Sequence, residues 1–205
     1  LKLNAEVLLR GTCYTPNGTP TPECPVRFSV GSWSKNLRVV GPRVWVDGAP
    51  TQPIAFTSMP LDYAHAFGGP GYDENPAGKG FGTSELPNVE AAHEPIRSHG
   101  ERPLPASYGP LNPAWPQRAR KRGRGNSDKG RAFHADDFDW SFFQAAAPDQ
   151  QLKGFLRGDE ELLLQNLHPS IPILTTRLPG VRVRAFLRDT AGRFREARMN
   201  LDTLF

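Results

Sequence analysis

Hydrophobic and polar residues alternate along short runs of this chain, and turn formers separate the runs. In PVRFSV, Val26, Phe28 and Val30 alternate with Arg27 and Ser29, and further on Val44 and Val46 alternate with Trp45. A period of two lays one face of a strand on a core and leaves the other to solvent. With AEVLLRGTCY and LRVVGPRVWV, residues 1–47 are predicted to form a half-buried antiparallel meander, and Asn17-Gly18 supplies a strong turn signal. A second β region is expected over residues 158–205, through EELLLQNL, IPILTTRL, VRVRAFLRD and GRFREARM. There Arg182 and Arg184 alternate with Val181, Val183 and Ala185, as one solvated face should.

Between these regions the pattern changes. Residues 50–116 hold 12 prolines and 8 glycines in 67 positions, so neither a regular helix nor a central strand can run far. Disorder is the quick inference, yet Phe56, Tyr63, Phe67, Tyr72, Phe81, Tyr108 and Trp115 are interleaved throughout, and disordered segments are poor in aromatics. An ordered, irregular segment whose rings dock on a sheet is expected. After it, DDFDWSFFQAAAP predicts a short helix over 136–147, with Asp136 or Asp137 as N-cap, Phe138 and Phe142 one turn apart, and Pro148 as the stop.

These elements predict a single, mainly β domain over residues 1–205. Its antiparallel sheets would form a sandwich or open barrel, with one or two short helices. Composition agrees: 20 Gly and 21 Pro among 205 residues argue against helical bundles and repeats, because both residues are penalised in helix interiors. No apolar run approaches a membrane span, and Leu1-Lys2-Leu3-Asn4 does not read as a signal peptide, so a cytoplasmic location is expected. The absence of a first Met reads as a processed or trimmed piece.

Charge is unevenly spread. The net charge is +4, while RARKRGRGNSDKGR (118–131) alone carries seven basic residues against one acid. The remainder therefore nets −2, and a nucleic-acid reading of the whole domain loses its footing. The stretch itself is expected to be a mobile, exposed basic loop, and it lacks the interleaved aromatics of a single-strand binder.

Most catalytic patterns fail. Counting back from Gly78-Lys79 puts Asp73 where a phosphate loop needs glycine, and Gly80 replaces its Ser/Thr. The histidines, His65, His93, His99, His134 and His168, show no zinc spacing, and no cofactor is implied. Cys13 and Cys24 flank YTPNGTPTPE; a disulfide across a hairpin would suit them if the geometry allowed, but a reduced pair is the favoured reading. HADDFD is the best catalytic candidate. His134 beside Asp136, Asp137 and Asp139 would suit a metal-dependent hydrolase, although the same acids serve as helix caps and first-turn charges.

Eight stretches in collinear order carry a resemblance. They are KNLRVVGPRVW (35–45), FTSMPLDYAHAFGG (56–69), NPAGKGF (75–81), LPNVE (86–90), RPLPASYGPLNPAWPQR (102–118), DDFDWSFFQAAAPDQQ (136–151), GDEELLLQNLHP (158–169) and LPG (178–180). Together they resemble a bacterial family catalogued as domain of unknown function 2169 and associated with type VI secretion. Members usually carry an additional N-terminal β segment and continue past Phe205. Their Gly-Thr-Tyr-Asp-like stretch after the equivalents of Trp115 and Arg118 is here replaced by RKRGRGNSDKGRAFHA. The resemblance implies a non-enzymatic effector chaperone or adaptor whose partners are a secreted toxic effector and a spike-tip protein. Candidate anchors for such a partner are Tyr63, Phe67, Tyr72, Phe81, Tyr108 and Trp115, with Arg118, Arg120, Lys121, Arg122 and Arg124 beside them. Most of these rings are expected to pack inward, as rings in β proteins usually do. An exposed sheet edge accepting a partner strand is a second mode of binding.

Overall fold

The computed structural model describes residues 2–124 and 136–205. In chain order the strands are β1 (Ala5–Val7), β2 (Thr12–Tyr14), β3 (Glu23–Val30), β4 (Trp33–Val40), β5 (Trp45–Val46), β6 (Ala49–Pro50), β7 (Ser58–Pro60), β8 (Phe67–Gly68), β9 (Lys79–Gly80) and β10 (Val89–Ala91). After a one-turn helix α1 (Pro116–Ala119) come β11 (Gln151–Leu152), β12 (Glu161–Gln165), β13 (Ile173–Arg177), β14 (Arg184–Arg188), β15 (Phe194–Arg198) and β16 (Thr203–Leu204).

The expected mainly β architecture is present. Its centre is a five-stranded antiparallel sheet in the order β10-β4-β3-β12-β13, and no sheet among the described residues closes into a barrel. The β3–β4 hairpin turns at Gly31, whose φ of +55° suits the first position of a two-residue II′ turn. The alternation read from the sequence holds: Cys24, Val26, Phe28 and Val30 point inward on β3, and Leu37 and Val39 point inward on β4. Burying each of the larger side chains stabilises the fold by roughly 1.5–3 kcal/mol. Not every pair is antiparallel, since β1 pairs parallel with β16 and β8 pairs parallel with β9.

The irregular segment lies on this sheet, held by polar side chains buried among its carbonyls. Asn75 donates to the carbonyls of Tyr63 (2.7 Å) and Phe67 (2.9 Å), Asn88 to Val40 (3.0 Å), and the Ser107 hydroxyl to Leu61 (2.9 Å). These bonds satisfy backbone groups that the prolines and glycines leave without a regular ladder. Beneath the segment Lys35, on the inward face of β4, donates to the Ser107 carbonyl (2.7 Å), Gln150 Oε1 (2.8 Å) and Asp149 Oδ2 (2.8 Å). Burial pulls its ammonium down, and Asp149 holds it up. The hydroxyl of Tyr108 donates to the Lys35 carbonyl at 2.9 Å. Beyond them, Glu90 lies buried between Arg38 and Arg43. Burial pushes the Glu90 carboxyl up while the two guanidiniums pull the other way.

Four local expectations are corrected. Asn17-Gly18 does turn the chain, with both residues at positive φ, but β2 and β3 do not form a hairpin across it, because β2 pairs with β7. Cys13 and Cys24, by contrast, are buried and free, in line with the favoured reading of a reduced pair. Trp45 turns towards a second cluster with Phe67, Leu86 and Ile96, so Val44 and Val46 face solvent. In place of a helix over 136–147 stands a single 3-10 turn, Trp140–Phe143, capped by Asp139, and Pro148 starts another turn, Pro148–Gln150, rather than stopping a helix. The Ala146 N–H is taken by the buried Glu6 carboxylate (2.9 Å) and the Phe142 carbonyl by Arg118 Nε (2.9 Å), so neither makes the bond that an α-helix would form between them. The basic stretch is also not a free loop where it is described. Arg118 lies inside α1 and Arg120–Arg122 continue it as a 3-10 turn, while residues 125–131 lie outside the described residues.

Candidate functional site

An open cleft of about 630 Å³ runs between the turn after β7 and the segment leading into α1. Leu61, Asp62 and Tyr63 form one wall, Leu111 and Trp115 the other, and Arg10 and Arg118 also line it. In the second wall Asn112 turns the chain, accepting from the Trp115 N–H on its carbonyl (3.1 Å) and from the Ala114 N–H on its side chain (2.9 Å), and Pro116 then starts α1, where its missing N–H costs nothing. Tyr63 and Leu111 are shared with a second hollow of about 290 Å³, whose lining includes His93, Leu104 and Asp149. Tyr63 thus stands in a partition between two concavities.

The ring of Tyr63 meets the indole of Trp115 edge to face, with centroids 5.3 Å apart. Its hydroxyl is buried and has no hydrogen-bond partner among the described residues. Burial, with Asp149 in support, pushes that hydroxyl well above the usual phenol range, so it stays protonated and able to donate. Arg118 is fixed by bonds from Nε to the Phe142 carbonyl (2.9 Å) and from Nη1 to the Leu111 carbonyl (2.6 Å), and it lies over the Phe142 ring. Burial pulls its guanidinium down, and the carboxylate of Glu6 opposes this. A cleft of this kind combines aromatic surface, a phenolic donor and a pre-positioned cation, which suits an extended polypeptide bearing carbonyl or carboxylate groups.

The structure therefore gathers Tyr63, Trp115 and Arg118 from the sequence candidates and scatters the rest. Tyr108 is fully buried in the main core beside Phe28 and presents no surface to a partner. Phe67, Tyr72 and Phe81 form a separate stack with centroids 5.2 and 5.4 Å apart, and Arg102 lies over Phe81. Arg120 pairs with Asp73, Arg122 lies over Phe142, and the Arg124 N–H is held by the Asp137 carboxylate at 3.0 Å. Lys121 offers its backbone carbonyl to the Asp139 N–H at 2.9 Å.

The acidic candidates take up structural duties. Asp137 accepts from Arg124, and Asp139 accepts from the Ser141 N–H at 2.8 Å, which lowers its carboxyl from the usual value. His134 lies outside the described residues. Among the described residues no group of three or more His, Cys, Asp or Glu side chains could hold a metal ion. Asp62 at the cleft edge does bind the His65 ring at 2.6 Å, but no hydroxyl or thiol contacts that ring from the cleft. Arg10, Leu61, Asp62 and Leu111 were not singled out from the sequence. Only Leu111 carried a signal, as the apolar residue between Pro110 and Pro113.

The molecule is thus a mainly β protein with an aromatic- and arginine-lined cleft on its irregular layer. The model of a family described as uncharacterized protein conserved in bacteria (DUF2169) matches residues 1–205, and the chain belongs to that family. No curated protein and no solved structure matches it. No helix among the described residues is long and apolar enough to cross a membrane.

Proposed function

We propose that this chain is a non-enzymatic chaperone or adaptor that holds a type VI secretion effector in the cytoplasm and helps to load it onto the spike tip. The observation that carries the reading is the cleft in which Tyr63, Trp115 and Arg118 meet. It is concave and open, is lined by the partly buried Trp115 ring, and keeps a buried hydroxyl with no hydrogen-bond partner among the described residues. Aromatic side chains and arginine dominate the energetics of protein interfaces, and an anchored Arg loses little entropy on binding. The link to type VI secretion comes from the family resemblance.

Co-expression with the toxic effector encoded beside this protein tests the reading. The two proteins should co-elute on size exclusion, and Trp115→Ala should abolish the complex while leaving the variant folded by circular dichroism. Independent elution of the two native proteins would overturn the proposal.

A further inference from the structure

Among the described residues the ribbon formed by β14 and β15 pairs with no other strand, and at its base lies a groove of about 320 Å³. Four arginines, Arg157, Arg182, Arg184 and Arg198, line that groove with Val183 and Met199, and no carboxylate does. Arg157 reaches Asp159 at 3.5 Å and Arg184 reaches Glu196 at 3.4 Å, whereas Arg182 and Arg198 have no acid within ion-pair range among the described residues. From Val181 to Met199 the chain carries six arginines against Asp189 and Glu196. This is a second concentration of positive charge, in the part of the sequence that nets negative once 118–131 is set aside.

The register sharpens the point. Bonds from the Asp189 N–H to the Arg193 carbonyl (2.9 Å) and from the Met199 N–H to the Val183 carbonyl (3.1 Å) fix the hydrogen-bonded pairs of the ribbon. Arg184 opposite Arg198, Phe186 opposite Glu196 and Arg188 opposite Phe194 are then the non-hydrogen-bonded pairs, where side chains stand closest. A like-charge pair at such a position is unfavourable, and Glu196 answers only Arg184 of the two. Phe186 and Phe194, on the same face, are 63% and 72% exposed, so the charges sit beside uncovered apolar surface. The same residues turn their backbone N–H and C=O groups to the open edges of the ribbon.

We propose that this face binds an extended acidic segment of a partner polypeptide, with carboxylates on Arg182, Arg184 and Arg198 and apolar side chains on Phe186 and Phe194. Guanidinium groups take carboxylates in a bidentate way, and an open strand edge takes the backbone. A nucleic acid fits less well, because the groove floor is aliphatic and Glu196 stands in the middle of the face. The proposal takes from the preceding reading only that the partner is a polypeptide. The site lies away from the Tyr63 cleft and its probe is synthetic, so either idea can fail while the other stands.

Fluorescence anisotropy with three labelled probes tests it on the full chain: an alternating Glu-Val peptide, the same peptide with Lys for Glu, and a single-stranded oligonucleotide. The Glu-Val peptide should bind, more weakly as salt rises, and Arg184→Gln with Arg198→Gln should weaken it about tenfold. The double variant should keep or raise the melting temperature, and Trp115→Ala should leave peptide binding unchanged. Equal binding of the Lys-Val peptide, tighter binding of the oligonucleotide, or indifference to the double variant would overturn the proposal.

Discussion

The hydroxyl of Tyr63 is buried without a hydrogen-bond partner among the described residues, yet its ring is fixed against Trp115 at 5.3 Å in the wall of the cleft. A buried donor left unpaired costs about 1–3 kcal/mol, so a fold selected for stability alone would favour Phe at that position. Tyr63→Phe should therefore raise stability by about 1 kcal/mol in chemical denaturation and weaken capture of the effector at the same time. Unchanged capture would remove the hydroxyl from the binding role.

Gln150 is the hub of the buried network under the irregular layer. Its Oε1 accepts from Lys35, and its Nε2 donates to the carbonyls of Val7 (2.8 Å) and Tyr108 (2.9 Å). Gln150→Leu fits the space but takes one of three acceptors from the buried Lys35 ammonium and a donor from each of two carbonyls. A loss of about 3 kcal/mol in urea unfolding is expected, since breaking a buried charged network costs far more than one surface bond.

How far these features can be read from the sequence depends on whether they are local. Alternation in PVRFSV gave β3 its inward face because each residue reports its own burial. The same logic failed at Trp45, since a two-residue strand buries whichever side chain meets a neighbour, and Phe67 and Leu86 were waiting there. The interleaved rings marked 50–116 as ordered, but only tertiary structure separates Tyr108 in the core from Trp115 on the cleft. Arg118 was noticed as part of a charge run. Its actual role depends on carbonyls of Leu111 and Phe142, one of them 24 residues away. Glu6, which takes the Ala146 N–H from 140 residues away, carried no local signal at all.

Asn75 shows how a side chain can organise a segment without regular structure. Its side-chain amide donates to the carbonyls of Tyr63 and Phe67, and its backbone carbonyl accepts from the Gly69 N–H at 2.9 Å. Gly68 permits the approach, since a Cβ there would lie 2.1 Å from the Asn75 carbonyl oxygen. Asn75→Asp preserves shape but sets a carboxylate against carbonyls, so it should cost about 2–3 kcal/mol and loosen the wall bearing Tyr63. Faster hydrogen exchange across residues 61–69, with the β3–β4 hairpin unaffected, is the expected readout.

Glu160 makes a pH-dependent contribution whose direction follows from its contacts. Burial pushes its carboxyl up, but the N–H groups of Arg157 (2.6 Å) and Gly158 (2.9 Å) outweigh this and hold it below the usual carboxylate value. A carboxyl lowered by folding contributes fully above its unfolded value, about 4.3, and loses that contribution as pH falls through the folded value. Glu160→Gln removes the titration while keeping the volume. The variant should be less stable than the native protein at neutral pH, and the gap should close below about pH 4. Glu23, lowered by its hydrogen bonds with Arg38, remains in both proteins, so both should still lose stability in acid. Melting temperatures across the acid limb check this, and a gap that stayed constant with pH would show that the Glu160 contacts stabilise without regard to charge.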